Sequence, residues 1–205
     1  MKRRSLAALA VSVLLIAMTG SGARAEEQKK GLEFAKRVFA ADVSKQNKSY
    51  ACFVRKYDAA HLAKHPLQKV SAMTLLLNAE VDQEAQSLGY SFRLGVKFRN
   101  RPGDFDSSGS CGHAQVNDDS KGKEQMGCGV DCDGGGIAVE LGKTDSAVLV
   151  RLESIRIWRN NKPDDEGLNL SGGADDRLFR LDRVPVEMCR SLVTDRKELA
   201  AMRTK

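Results

Sequence analysis

The chain has 205 residues, with 33 Lys+Arg against 27 Asp+Glu and a formal charge of +6. Lys2, Arg3, Arg4 and Arg24 sit in the first 25 positions, which hold no acid, so residues 26–205 carry 29 basic against 27 acidic groups, a net of +2. Charges of both signs are interspersed, as on an ordinary solvated surface, which gives no support to a nucleic-acid or membrane footprint.

The first 25 residues read as a secretory signal peptide. A basic start at Lys2-Arg3-Arg4 precedes a mostly apolar run over 6–18, and Ala23-Arg24-Ala25 precedes the polar Glu26-Glu27-Gln28. The apolar run is too short to cross a bilayer, and no later segment is long and apolar enough either. No membrane span is expected once the leader is removed, and the expected location is periplasmic or secreted. Residues 26–205 are expected to form one β-rich, disulfide-stabilised domain, a length that suits a single core.

Residues 26–31 are polar and expected to fray. From there Leu32, Ala35, Phe39 and Val43 recur at helical spacing, with Lys36 and Arg37 on the other side, which predicts one N-terminal amphipathic helix. "VSKQNKSY" (43–50) reads as a polar connection. "YDAAHLAKHP" (57–66) predicts a short helical turn with Asp58 as N-cap, ended by Pro66 because proline disfavours helical geometry at the residue before it.

The period then changes. In "YSFRLGVKFR" (90–99), Phe92, Leu94, Val96 and Phe98 alternate with Arg93, Lys97 and Arg99, as in a half-buried antiparallel strand. Further strands are expected over 70–79, 110–116, 124–130, 136–141, 147–158 and 177–184, joined by turn-rich segments. Within 147–158, Val148, Val150 and Leu152 share one parity while Ile155 and Ile157 share the other, so a bulge near Glu153-Ser154 is predicted. The expected fold is mainly β: an antiparallel six- to seven-stranded sandwich or partly closed barrel, with the helix over an end or an edge.

Five cysteines follow the leader: Cys52, Cys111, Cys128, Cys132 and Cys189. In an oxidising compartment they predict two disulfides and one leftover thiol. Folding 110–130 about the "NDDSKG" turn (117–122) sets Cys111 opposite Cys128, within disulfide reach. Cys132 could then tie to Cys52 or Cys189. In "CGVDCDGGGI" (128–137), the glycines would supply the positive-φ positions of the next turn.

Metal chemistry is the competing reading. Asp131 and Asp133, with Gly136 at the sixth position, imitate the start of a calcium loop, but Gly135 and Gly142 stand where further oxygen ligands are needed. Cys128 and Cys132 have tolerable zinc spacing, with Cys111 and His113 near in sequence, yet exported thiols tend to oxidise. Asp58, His61 and His65 have D-x2-H-x3-H spacing, which Pro66 disturbs. There is no redox Cys-x-x-Cys pair, no G-x-S-x-G elbow and no phosphate loop, so no catalytic residue and no cofactor is assigned. The acids of "PDDEG" and "GGADD", between 163 and 176, read as a solvated or binding loop.

"YDAAHLAKHPLQKV", "CGVDCDGGG" and "RLFRLDRVPVEMC" together resemble a group of uncharacterised exported proteins of Gram-negative bacteria. The resemblance implies an export route and a shared fold and carries over no catalytic residue. The expected function is a non-enzymatic binding or interaction protein of the cell envelope, taking an unidentified protein or small ligand. The alternatives are a metal-dependent protein using the residues named above, and a barrel carrying a small apolar ligand inside. Only 11 of 205 residues are aromatic, which disfavours the last.

Overall fold

The computed structural model describes residues 20–82, 84, 87–116, 124–160 and 166–202. The basic and apolar stretches of the leader, the 117–122 turn and residues 163–165 lie outside the described residues.

Helix α1 spans Gly20–Phe39, so the segment expected to fray is helical. Phe34, Ala35, Val38 and Phe39 form its buried stripe. The helix stops before Val43 because Ala40 adopts a left-handed conformation (φ 51°) and the Ala41 N–H turns back to the Lys36 carbonyl at 3.2 Å. Val43 is still buried, on a 3-10 turn at Val43–Lys45.

Nine antiparallel strands follow: β1 Lys48–Lys56, β2 Val70–Asp82, β3 Ser87–Phe98, β4 Asp104–Val116, β5 Glu124–Gly129, β6 Gly135–Leu141, β7 Ala147–Arg159, β8 Leu168–Ser171 and β9 Leu178–Val184. Helix α2 (Ala59–Lys64) lies between β1 and β2, and a 3-10 segment (Val186–Leu192) and helix α3 (Arg196–Ala201) end the described chain. Strands β1 to β6 pair in sequence order, β6 pairs with β7, β7 with β9 and β9 with β1, so one sheet closes into a ring. Strand β8 hangs on the second half of β7 alone.

Alternation decides which residues enter the ring. Phe53 and Ala51 of β1, Leu75 and Leu77 of β2, and Phe92 and Leu94 of β3 join the α1 stripe in one core with Val139, Val150 and Phe179. The parity switch in β7 is real: Leu152 pairs with Ile137 and Ser154 with Gly136, leaving Glu153 as the bulged residue. Ile155 and Ile157 can therefore be buried with Val148 and Val150.

Strand β1 carries no clear alternation in the sequence because both its faces are covered. Its outward Tyr50, Cys52 and Val54 pack under the C-terminal segment with Leu76, Cys189, Val193 and Met202, forming a second apolar cluster. A strand buried on both sides loses the period-2 signal. The Cys52–Cys189 disulfide joins β1 to the 3-10 segment there. Glu198 of α3 seals the cluster rim, 9% exposed, taking hydrogen bonds from Arg93 (3.1 and 2.8 Å) and from the Tyr50 hydroxyl (3.3 Å). Burial alone would raise the Glu198 pKa; Arg93, aided by Lys48, outweighs it and holds the carboxyl below its usual range.

Candidate functional site

The corner that opens with Cys128 is stapled as its spacing suggested. Cys111 and Cys128 face each other in the β4–β5 register and form a disulfide, their Cα atoms 4.0 Å apart. Cys132 pairs with neither Cys52 nor Cys189, which bond to each other, and stands as an exposed free thiol. The turn itself corrects the expectation for the glycines. Its left-handed residues are Cys132 (φ 57°), Asp133 (φ 60°) and Gly135 (φ 70°), closed by the Val130 N–H donating to the Gly135 carbonyl at 2.9 Å. Gly134 and Gly136 have ordinary φ and serve close approach instead: a Cβ on Gly136 would overlap the Cys128 carbonyl oxygen. A side chain in the left-handed region costs about 1 kcal/mol. Cys132→Gly is thus expected to raise stability by roughly 0.5–1 kcal/mol, read as an upward shift of the urea midpoint at constant slope.

Beside this corner, on β5, β6 and the bulged part of β7, lies a solvent-open groove of about 910 Å³. Gly127 and Ala138 form part of its floor, and Arg151, Glu153, Ser154 and Arg177 bring polar groups to it. Arg151 pairs with the buried Glu140 carboxylate at 3.1 Å and remains half-exposed. The Arg177 side chain makes no hydrogen bond or ion pair among the described residues; only its backbone carbonyl is engaged, by the Leu152 N–H at 2.9 Å. The bulge at Glu153 shapes the groove, since it breaks the flat ladder between β6 and β7. Gly127 differs from its neighbours: a Cβ placed there meets nothing within 4 Å. Sterics do not demand that glycine, yet it leaves the floor bare.

The histidine segment is occupied by local structure. Asp58 caps α2 as expected, its carboxylate accepting from the His61 N–H at 2.7 Å. The His61 Nε2 lies 3.0 Å from the Gln68 side-chain oxygen, and its ring is stacked between Tyr57 (4.5 Å) and His65 (4.4 Å). His65 Nδ1 lies 3.8 Å from Asp175. Stacked rings present faces to each other rather than nitrogens to a common point. Asp131 and Asp133 are exposed on their turn. Among the described residues no three His, Cys, Asp or Glu side chains converge as a metal site.

The "GGADD" acids are not a solvated loop. Asp176 is fully buried and accepts from the backbone N–H groups of Lys69 (2.7 Å) and Val70 (3.3 Å), and Asp175 accepts from that of Leu67 (3.2 Å). They fasten the start of β2 across more than a hundred residues of sequence, a pairing that no local pattern signals. Nor did the sequence point to the groove, whose arginines come from strands β7 and β9's approach and meet only through the fold.

Comparison with protein-family models, with curated proteins and with solved structures finds no match. The class that the fold defines is a mainly β, ring-closed antiparallel domain with two disulfides. No described helix is long and apolar enough to cross a membrane.

Proposed function

We propose that the protein is an exported, non-catalytic binding protein of the cell envelope, and that the β5–β7 groove takes a small, polar, negatively charged ligand. The observation that carries this reading is the bare glycine floor at Gly127 in a groove that the unpaired Arg177 side chain also lines. A strand glycine is destabilising by about 0.5–1 kcal/mol relative to alanine, and here it relieves no clash. Its effect is to keep open a concavity that Arg177 also lines, and a guanidinium is the side chain best suited to grip a carboxylate or phosphate. Export rests on the leader-like N-terminus, and the two disulfides fit it. The side chains that fill the ring speak against an enclosed apolar ligand.

The test is a thermal-shift screen of the wild type, Gly127→Val and Arg177→Ala against galacturonate, citrate and inorganic phosphate. Gly127→Val is expected to fold with equal or higher melting temperature, because valine favours strands and has room. At least one anion is expected to raise the wild-type melting temperature, with the shift lost in Gly127→Val and reduced by roughly tenfold in affinity for Arg177→Ala. A wild type unmoved by all three, or a shift that survives both substitutions, removes the groove as the ligand site.

A further inference from the structure

An open edge of the sheet belongs to β8, and the cleft in front of it shares no lining residue with the groove, although the two adjoin at Ser171 and Gly172. Strand β8 is last in the strand order and pairs only with β7, through Leu168–Ile157, Asn169–Arg156, Leu170–Ile155 and Ser171–Ser154. In an antiparallel strand successive residues aim their backbone N–H and C=O to opposite edges. Two of the four β8 residues therefore present both groups away from β7, and no described residue takes them up. In front of that edge is a cleft of about 360 Å³, closed on its far side by residues 66–69 and 98–101. Leu67 stands in its wall 62% exposed, the most exposed large apolar side chain among the described residues. The wall is held in place: Asp175 and Asp176 bind the backbone of Leu67 and Lys69, and the Arg99 guanidinium bonds the Leu62 and His65 carbonyls.

Among the described residues that line the cleft the charge is one-sided: Lys69, Arg99 and Arg101 are there and no described carboxylate is. The side chains of Lys69 and Arg101 have no ion-pair partner among the described residues. A second copy of this chain would bring the same cations to the same edge, so self-pairing there is opposed by charge. We infer that the β8 edge is a docking site for an extended, acidic segment of a partner protein, which adds as a strand beside Leu168–Ser171, sets an apolar side chain against Leu67 and an Asp or Glu against Lys69 and Arg101. Strand addition draws affinity from backbone hydrogen bonds and specificity from such flanking pockets. This inference is independent of the groove and stands or falls separately.

The test uses the full mature chain, immobilised, and a phage-displayed library of random 12-residue peptides; the best sequence is then synthesised and titrated by fluorescence polarisation. The selected peptides are expected to place Asp or Glu within three positions of a large apolar residue. Affinity should fall at least tenfold for Leu67→Asp and for the pair Lys69→Glu/Arg101→Glu, be unchanged for Gly127→Val, and weaken with salt. Bound peptide should slow amide exchange in β8. Leu67, Lys69 and Arg101 are surface positions, so circular dichroism and melting curves of their variants should match the wild type. Failure to enrich any peptide, acid-free sequences, or equal binding by both charge and apolar variants overturns the inference. So does a wild-type dimer that Leu67→Asp dissolves, which would give the edge to a second copy.

Discussion

Replacing Cys52 and Cys189 together by alanine is expected to lower stability by roughly 4–5 kcal/mol, against about 3 kcal/mol for the Cys111/Cys128 pair. The two bridges differ in how much chain they close, with separations of 137 and 17 residues. Cross-linking restricts the unfolded chain more when the loop is longer, and the difference grows with its logarithm. The Cys52–Cys189 bridge also lies inside the second apolar cluster, both sulfurs buried, and holds the C-terminal segment over β1 and β2. Its loss should therefore expose Tyr50 and Leu76 as well as loosen the chain. The Cys111–Cys128 bridge ties strands already paired in one hairpin. Differential scanning calorimetry of the two double variants checks this: the first should melt on the order of 10–20 °C lower than the wild type. Equal losses, or a larger loss at Cys111/Cys128, would show that the C-terminal segment does not depend on its bridge.

Arg183→Met is the second large effect, an expected loss of about 3 kcal/mol. Arg183 lies on β9 opposite Phe53, its guanidinium 4.7 Å from that ring. It donates to three carbonyls: Val38 (2.8 Å) and Arg37 (3.0 Å) at the end of α1, and Asp145 (2.9 Å) in the β6–β7 turn. The last carbonyls of a helix have no partner within it and need one from outside. A cation at that end also complements the helix dipole. Burial pulls the Arg183 pKa below its ordinary value, with Asp145 acting against the shift, and three acceptors keep the half-buried charge satisfied. Methionine keeps much of the apolar stem and removes every donor, so three carbonyls lose their partner while packing on Phe53 is largely retained. The Arg37–Asp145 pair, 2.8 Å and half-exposed on both sides, cannot replace it. Urea titration measures the loss, and amide exchange should show it concentrated in residues 34–39. A change within 0.5 kcal/mol would mean that the α1 stripe alone holds the helix in the ring.

What could be read from the sequence was whatever depends on near neighbours. The alternation in 90–99 gave β3, the parity switch near Glu153 gave the bulge, and Asp58 with Pro66 gave the ends of α2. Cys111 and Cys128 were legible as partners because one turn separates them. What depends on distant pairing was not. Strand β1 hides its period under the C-terminal segment, and β8, four residues long inside a loop of turn formers, is a strand only because β7 lies beside it. Asp176 looks like a surface acid until the start of β2 brings it two N–H groups. The groove follows the same rule. Gly127, Arg151 and Arg177 are far apart in the sequence, and only the pairing of β5, β6, β7 and β9 brings them to one groove.

The most direct test of the stapled corner is intact-mass and elemental analysis of the protein, purified without chelator. The predicted result is a mass four hydrogens below the fully reduced chain, one thiol that alkylates at Cys132 in the native state, and no stoichiometric metal. Near-stoichiometric zinc or calcium with Cys111 and Cys128 still reduced would contradict it, and would turn the corner into a metal centre rather than the wall of a groove.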